Sequence, residues 1–137
     1  MPVLKKASKV FLCHSHHDQR IVHDLWSRLK KNGINVWLDR ESLLPGQDWE
    51  QEIRKTILKS DAVIVCLSRR FNNPRGFRHE EVRVALQKAQ ALDGKVFLIP
   101  VRLETCRMPE SLKHLHRVDL FERGGYKKLL LVLKEKV

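Results

Sequence analysis

"DAVIVCLS", Asp61 to Ser68, is the most strand-like segment of the chain. Its apolar residues follow one another without a polar break, and several are β-branched. A strand with one face in water alternates apolar and polar side chains, whereas a strand covered on both faces has no reason to. This segment therefore reads as a central strand of a parallel sheet. Working outward, "KVFLC" (Lys9 to Cys13) and "KVFLIPV" (Lys95 to Val101) repeat the pattern, with Pro100 near the end of the latter. "INVWLD" (Ile34 to Asp39) is a further strand, and "VDLF" (from Val118) a short fifth strand at an edge.

Between these runs the period changes. Ile21, Val22, Leu25, Trp26 and Leu29 recur at helical spacing, and Asn32-Gly33 is a helix stop. Asp48 with Gln51 forms a capping box for a helix carrying Trp49, Ile53 and Ile57. Val82, Ala85, Leu86 and Ala89 mark another helix, and Tyr126 to Lys136 a closing amphipathic one. Leu43 to Gln47 and Arg69 to Gly76 read as loops, the latter holding Asn72-Asn73-Pro74. Arg102 to Arg117 is irregular, with one helical turn begun by Pro109. Strand–helix alternation of this kind implies a mainly parallel sheet with helices on both faces. Ligands of such sheets bind beyond the carboxyl ends of the strands, where the strand order reverses.

Composition narrows the class. The 137 residues suit a single domain, 1–137, with its core at about 9–136. A hydrophobic share of 42% against 31% charged residues is that of an ordinary globular chain. No apolar run approaches the roughly 20 residues that cross a bilayer, and Met1 to Ser8 is basic without the apolar stretch of a secretory signal. A cytoplasmic protein with no membrane partner is the expectation. Three cysteines, Cys13, Cys66 and Cys106, without CxxC spacing, indicate reduced thiols rather than a disulfide framework or a zinc site. The net charge of +11 is spread in small pairs such as Lys5-Lys6, Lys30-Lys31, Arg69-Arg70 and Lys127-Lys128. It favours anionic ligands generally and specifies no nucleic acid.

Three segments hold residues with chemistry in them. After the first strand come His14, Ser15, His16, His17 and Asp18. The histidines lack a complementary ligand cluster, so no metal is expected. Ser15 and Asp18 have S-x-x-D spacing, which caps a helix, and the same helix N-terminus can hold a phosphate. After the second strand, "DRESLLPGQDW" exposes Leu43 and Leu44 beside Pro45-Gly46, as a partner-binding or gating loop does; folding back on the core is the alternative. Finally, "GFRHEEV" sets Glu81 four residues after Phe77, on one side of a helix start. Acidic residues also favour helix N-termini for electrostatic reasons alone, so spacing does not by itself assign Glu81 a catalytic role.

Taken together, "VFLCHSHHD", "VWLDRESLLPGQDW", "DAVIVCLS", "GFRHEEV" and "FLIPV" resemble, in order and spacing, the TIR (Toll/interleukin-1 receptor/resistance-protein) domain in its bacterial form. The resemblance covers Lys9 to about Lys136. It implies an α/β, flavodoxin-like, doubly wound five-stranded parallel sheet of order 2-1-3-4-5. It also implies cleavage of NAD+ at the nicotinamide–ribose bond, giving ADP-ribose or a cyclic isomer, with NAD+ as substrate and no cofactor. By motif position the catalytic glutamate is Glu81, and the nucleotide contacts are His14, Ser15, His16, Glu41, Ser68 and Phe77. His14 and Phe77 stand where the family often has other aromatic residues. The BB loop, Leu43, Leu44, Pro45, Gly46, Gln47, Asp48 and Trp49, would mediate self-association with other TIR domains in signalling or defence.

One carboxylate suffices for that chemistry. The nicotinamide of NAD+ is already a cationic pyridinium and departs neutral, whereas glycosidases need a second carboxyl group to protonate a leaving oxygen. The alternative is a TIR interaction module that assembles without turnover. A receiver domain would need an aspartate where Ser68 stands, and a nucleoside deoxyribosyltransferase-like enzyme also uses a glutamate on a related fold.

Overall fold

A computed structural model of the chain describes residues 9–14, 16–38, 55, 59–69 and 97–136. Its strands are β1 (Lys9–Cys13), β2 (Asn35–Leu38), β3 (Ala62–Leu67), β4 (Phe97–Arg102) and β5 (Val118–Asp119). All pair in parallel, in the order β2-β1-β3-β4-β5. That is the doubly wound order expected, with β3 central. The expected helices bearing Trp49 and Val82, and the loops around Pro45 and Asn72, lie outside the described residues.

Every residue of β3 is buried, and alternate side chains serve two cores. On one face Val10, Leu12, Val36, Ala62, Ile64, Cys66, Ile99 and Val101 pack under two helices, α1 (Gln19–Lys31) and α2 (Gly125–Lys136). On the other, Phe11, Cys13, Val63, Val65 and Leu67 meet Leu112, which sits in a 3-10 turn (Glu110–Leu112) preceded by Pro109. The single turn read from Pro109 is thus a cover for the second face. Cys13 and Cys66 are buried cysteines, not in disulfides, on opposite faces.

α1 shows where the pattern and the packing part. Val22, Leu25 and Leu29 are buried, Trp26 is half-buried, and Ile21 is exposed. Successive helix positions turn by about 100°, so a stripe centred on Val22, Leu25 and Leu29 leaves Ile21 on its flank. Trp26 remains tied to the sheet because its Nε1 donates to Val36 O at 3.1 Å. The helix ends as Asn32-Gly33 foretells. Gly33 has φ +84°, and its N–H donates to Lys30 O while Ile34 N–H donates to Leu29 O. Those paired bonds form a Schellman cap, which needs a left-handed residue. Asn32 Nδ2 then reaches Tyr126 Oη at 2.9 Å, and the Arg28 guanidinium lies 3.8 Å from the Tyr126 ring centre. These contacts link the end of α1 to the start of α2.

At the far edge the sheet is locked by charge. Arg102 Nε and Nη2 donate to Asp119 Oδ1 and Oδ2 at 2.6 and 2.8 Å, and Arg117 Nε adds a bond of 3.0 Å. Gly125 closes this corner, since a Cβ there would collide with the backbone oxygen of Asp119. The Arg102 hydrogen bonds, supported by Arg117 and opposed by burial, lower the Asp119 carboxyl to about 2. The folded value lies below the unfolded value of about 3.9. The carboxylate therefore stabilises the fold in full above about pH 4, and that contribution is lost as pH falls through about 2. In Asp119→Asn the acid unfolding curve should be flatter across this window; a wild-type slope in the variant would show that the pair is not the titrating element.

Candidate functional site

The strand order reverses at β1, with β2 on one side and β3 on the other. The carboxyl ends of β1 and β3 lie at the position where a parallel sheet of this order accepts a ligand. His14 and Ser68 stand there, immediately after Cys13 and Leu67. Both are buried, at 4% and 1% exposure. From His14 the chain enters a 3-10 turn (His16–Asp18) that leads into α1.

Asp18 occupies the N-cap position of α1, whereas S-x-x-D spacing would set it three residues beyond a cap at Ser15, and its side chain makes no capping hydrogen bond. Instead Ser68 Oγ donates to Asp18 Oδ2 at 2.5 Å, within the short range typical of a hydroxyl bound to a carboxylate. Asp18 is itself only 7% exposed. A buried carboxylate requires a strong donor, and the end of β3 supplies one. The outcome is a polar strap across the strand ends, joining residues 50 apart in sequence.

The neighbouring rim is also fixed. Arg69 N–H donates to Glu104 Oε2 at 2.9 Å and its Nε to Thr105 O at 3.3 Å. The chain leaving β3 is thereby held to the chain leaving β4. Arg102 Nη1 donates to Cys106 O at 2.9 Å. Burial pushes the Cys106 thiol up, which keeps it protonated and a poor nucleophile. Among the described residues no three His, Cys, Asp or Glu side chains form a metal-holding group, and His17 is exposed whereas His14 is buried.

Of the residues expected to act, the structure brings His14 and Ser68 to adjoining strand ends. Glu81, Ser15, Glu41, Phe77, the loop from Leu43 to Trp49, and the side chain of His16 lie outside the described residues. Asp18 was legible only as a cap, because nothing local in the sequence announces a partner on β3. A cleft of about 310 Å³ lies elsewhere, at the β5 edge, lined by His116, Arg117, Asp119, Arg123 and Lys128 among others. It is two strands from Ser68 and away from the switch point. No described helix is long and apolar enough to cross a membrane.

A family model described as "TIR domain" matches residues 10–130. Over 95 residues the chain is 34% identical to the NAD(+) hydrolase TcpA of Theionarchaea archaeon (strain DG-70-1), covering 67% of this chain and 27% of that protein. The chain thus spans about a quarter of that relative's length. Its fold is similar to the TIR domain of the Toll-related receptor TRR-2 from Hydra magnipapillata, with a TM-score of 0.75, 20% identity, and coverage of 92% of this chain and 98% of that one. It is also similar to the TIR domains of the activated Roq1 resistosome that directly recognizes the pathogen effector XopQ. There the TM-score is 0.60 with 24% identity, covering 71% of this chain and 58% of that one.

Proposed function

Because the chain belongs to the TIR domain family, we propose that it is an NAD+ nucleosidase acting at the carboxyl ends of β1 and β3. The observation that carries this reading is the 34% identity to an NAD(+) hydrolase over two thirds of the chain. The switch-point crevice with polar strand ends supports it, as does the basic character of the chain, which suits a diphosphate.

In the proposed reaction the bond between ribose C1′ and the pyridinium nitrogen breaks, and its electron pair leaves with neutral nicotinamide. The ribose becomes an oxocarbenium-like cation. Glu81 stabilises that charge or holds the ribose hydroxyls, an effect strongest where water is excluded. Water adds to C1′ and loses a proton, giving ADP-ribose; addition of the adenine of the same molecule gives a cyclic product. His14, Ser15, His16, Glu41, Ser68 and Phe77 form the nucleotide site. The loop from Leu43 to Trp49 joins copies of the chain, so turnover rises with protein concentration.

The test is incubation of concentrated or artificially clustered protein with NAD+, with chromatography of the products. Nicotinamide should appear together with ADP-ribose or a cyclic isomer, at a rate per molecule that increases with clustering. Intact NAD+ under those conditions would leave an interaction module as the surviving reading.

A further inference from the structure

Asp18 has a task that helix capping does not explain. Asp18 is 7% exposed, at the mouth of α1, and its carboxylate accepts a hydrogen bond from the hydroxyl of Ser68, 1% exposed, at the end of β3. No local sequence relation requires this contact, since Asp18 and Ser68 are 50 residues apart. The bond crosses the top of the sheet at the strand-order reversal. There it sets the distance between the turn leaving β1 and the chain leaving β3, the two walls that a ligand at the switch point must touch. It also governs charge. With its donor in place, the Asp18 carboxylate is directed at Ser68; loss of that donor takes a hydrogen bond away from a buried carboxylate beside the proposed anion site.

Resting on the nucleosidase reading above, we infer that Asp18, acting through Ser68, is a positioning residue for the dinucleotide. It holds the His16–Asp18 turn and the end of β3 at the separation that binds NAD+. It does not touch the reacting bond, so its loss acts on affinity before chemistry. The conservative changes Asp18→Asn and Ser68→Thr retain an acceptor and a hydroxyl at the same places.

The experiment measures KM and kcat for nicotinamide release in Asp18→Ala, Ser68→Ala, the double variant, Asp18→Asn and Ser68→Thr. Thermal melting is followed in parallel, and calorimetry measures NAD+ binding in a Glu81→Gln background. Each alanine variant should raise KM, and weaken binding, by about tenfold, as loss of a hydrogen bond to a buried charge does. kcat should stay within about threefold in Asp18→Ala, and the double variant should be no worse than Ser68→Ala, whose hydroxyl also belongs to the nucleotide site, because the two changes share the strap. Asp18→Asn and Ser68→Thr should restore most of the affinity.

A purely structural bond would lower the melting temperature and the active fraction while leaving KM and affinity unmoved, and that result overturns the inference. Unchanged KM in the alanine variants of an active wild-type enzyme would sink this inference alone. Wild-type protein that binds NAD+ without turnover rejects the nucleosidase reading, and calorimetry then still decides the role of Asp18. Wild-type protein that neither binds nor cleaves NAD+ overturns both.

Discussion

Glu81→Gln should abolish nicotinamide release, by at least about 10²–10³-fold, while NAD+ still binds and the protein still folds. Glutamine has nearly the shape of glutamate and retains hydrogen-bonding capacity, but it lacks the charge. If the carboxylate offsets the positive charge that develops on the ribose, removing that charge withdraws a stabilisation present chiefly in the transition state, and kcat falls with little change in binding. Glu81→Ala should lose turnover equally and some affinity besides. A folded Glu81→Gln variant with wild-type kcat would remove Glu81 from the chemistry. The cleavage would then have to be assigned to another group.

The second large effect concerns the fold. Phe11 is fully buried, paired in register with Trp37 on β2 and Val63 on β3. Among the described residues its ring packs with Cys13, Val63, Val65, Leu67 and Leu112. Phe11→Ala removes a large apolar side chain and leaves a cavity that a rigid parallel sheet cannot close, at a cost of about 3–5 kcal/mol. Domains of this size are stable by only about 5–15 kcal/mol. The urea midpoint should therefore fall steeply with an unchanged slope. Ile21→Ala, on the exposed flank of α1, should stay within about 0.5 kcal/mol of wild type. Equal losses in the two variants would contradict the assignment of faces.

The contrast between Phe11 and Ile21 indicates how far the sequence could be read. Strands buried on both faces announce themselves, because nothing polar interrupts "VFLC" or "AVIVCL". The terminal "VD" strand and the turn after Pro109 were legible from local chemistry as well, as was the helix stop at Asn32-Gly33. Ile21 misled because a helical period identifies a stripe but not its centre, which the curvature and contacts of the sheet decide. The Arg102–Asp119 pair and the Asp18–Ser68 strap left no trace in the pattern. Their members are 17 and 50 residues apart, and only the order of the strands brings them together. Of the candidate site, His14 and Ser68 were named through the family resemblance, and both stand at the carboxyl ends of their strands. Asp18 passed for a cap because spacing reveals only local partners, and its donor lies 50 residues away at the end of β3.

A crystal structure of the Glu81→Gln variant with NAD+ bound tests the central claim most directly. The nicotinamide riboside should lie over the carboxyl ends of β1 and β3, beside His14 and the Asp18–Ser68 strap, with residue 81 in reach of the ribose. A dinucleotide seated in the cleft at the β5 edge, or residue 81 turned away from the ribose of a dinucleotide at the strand ends, would contradict it.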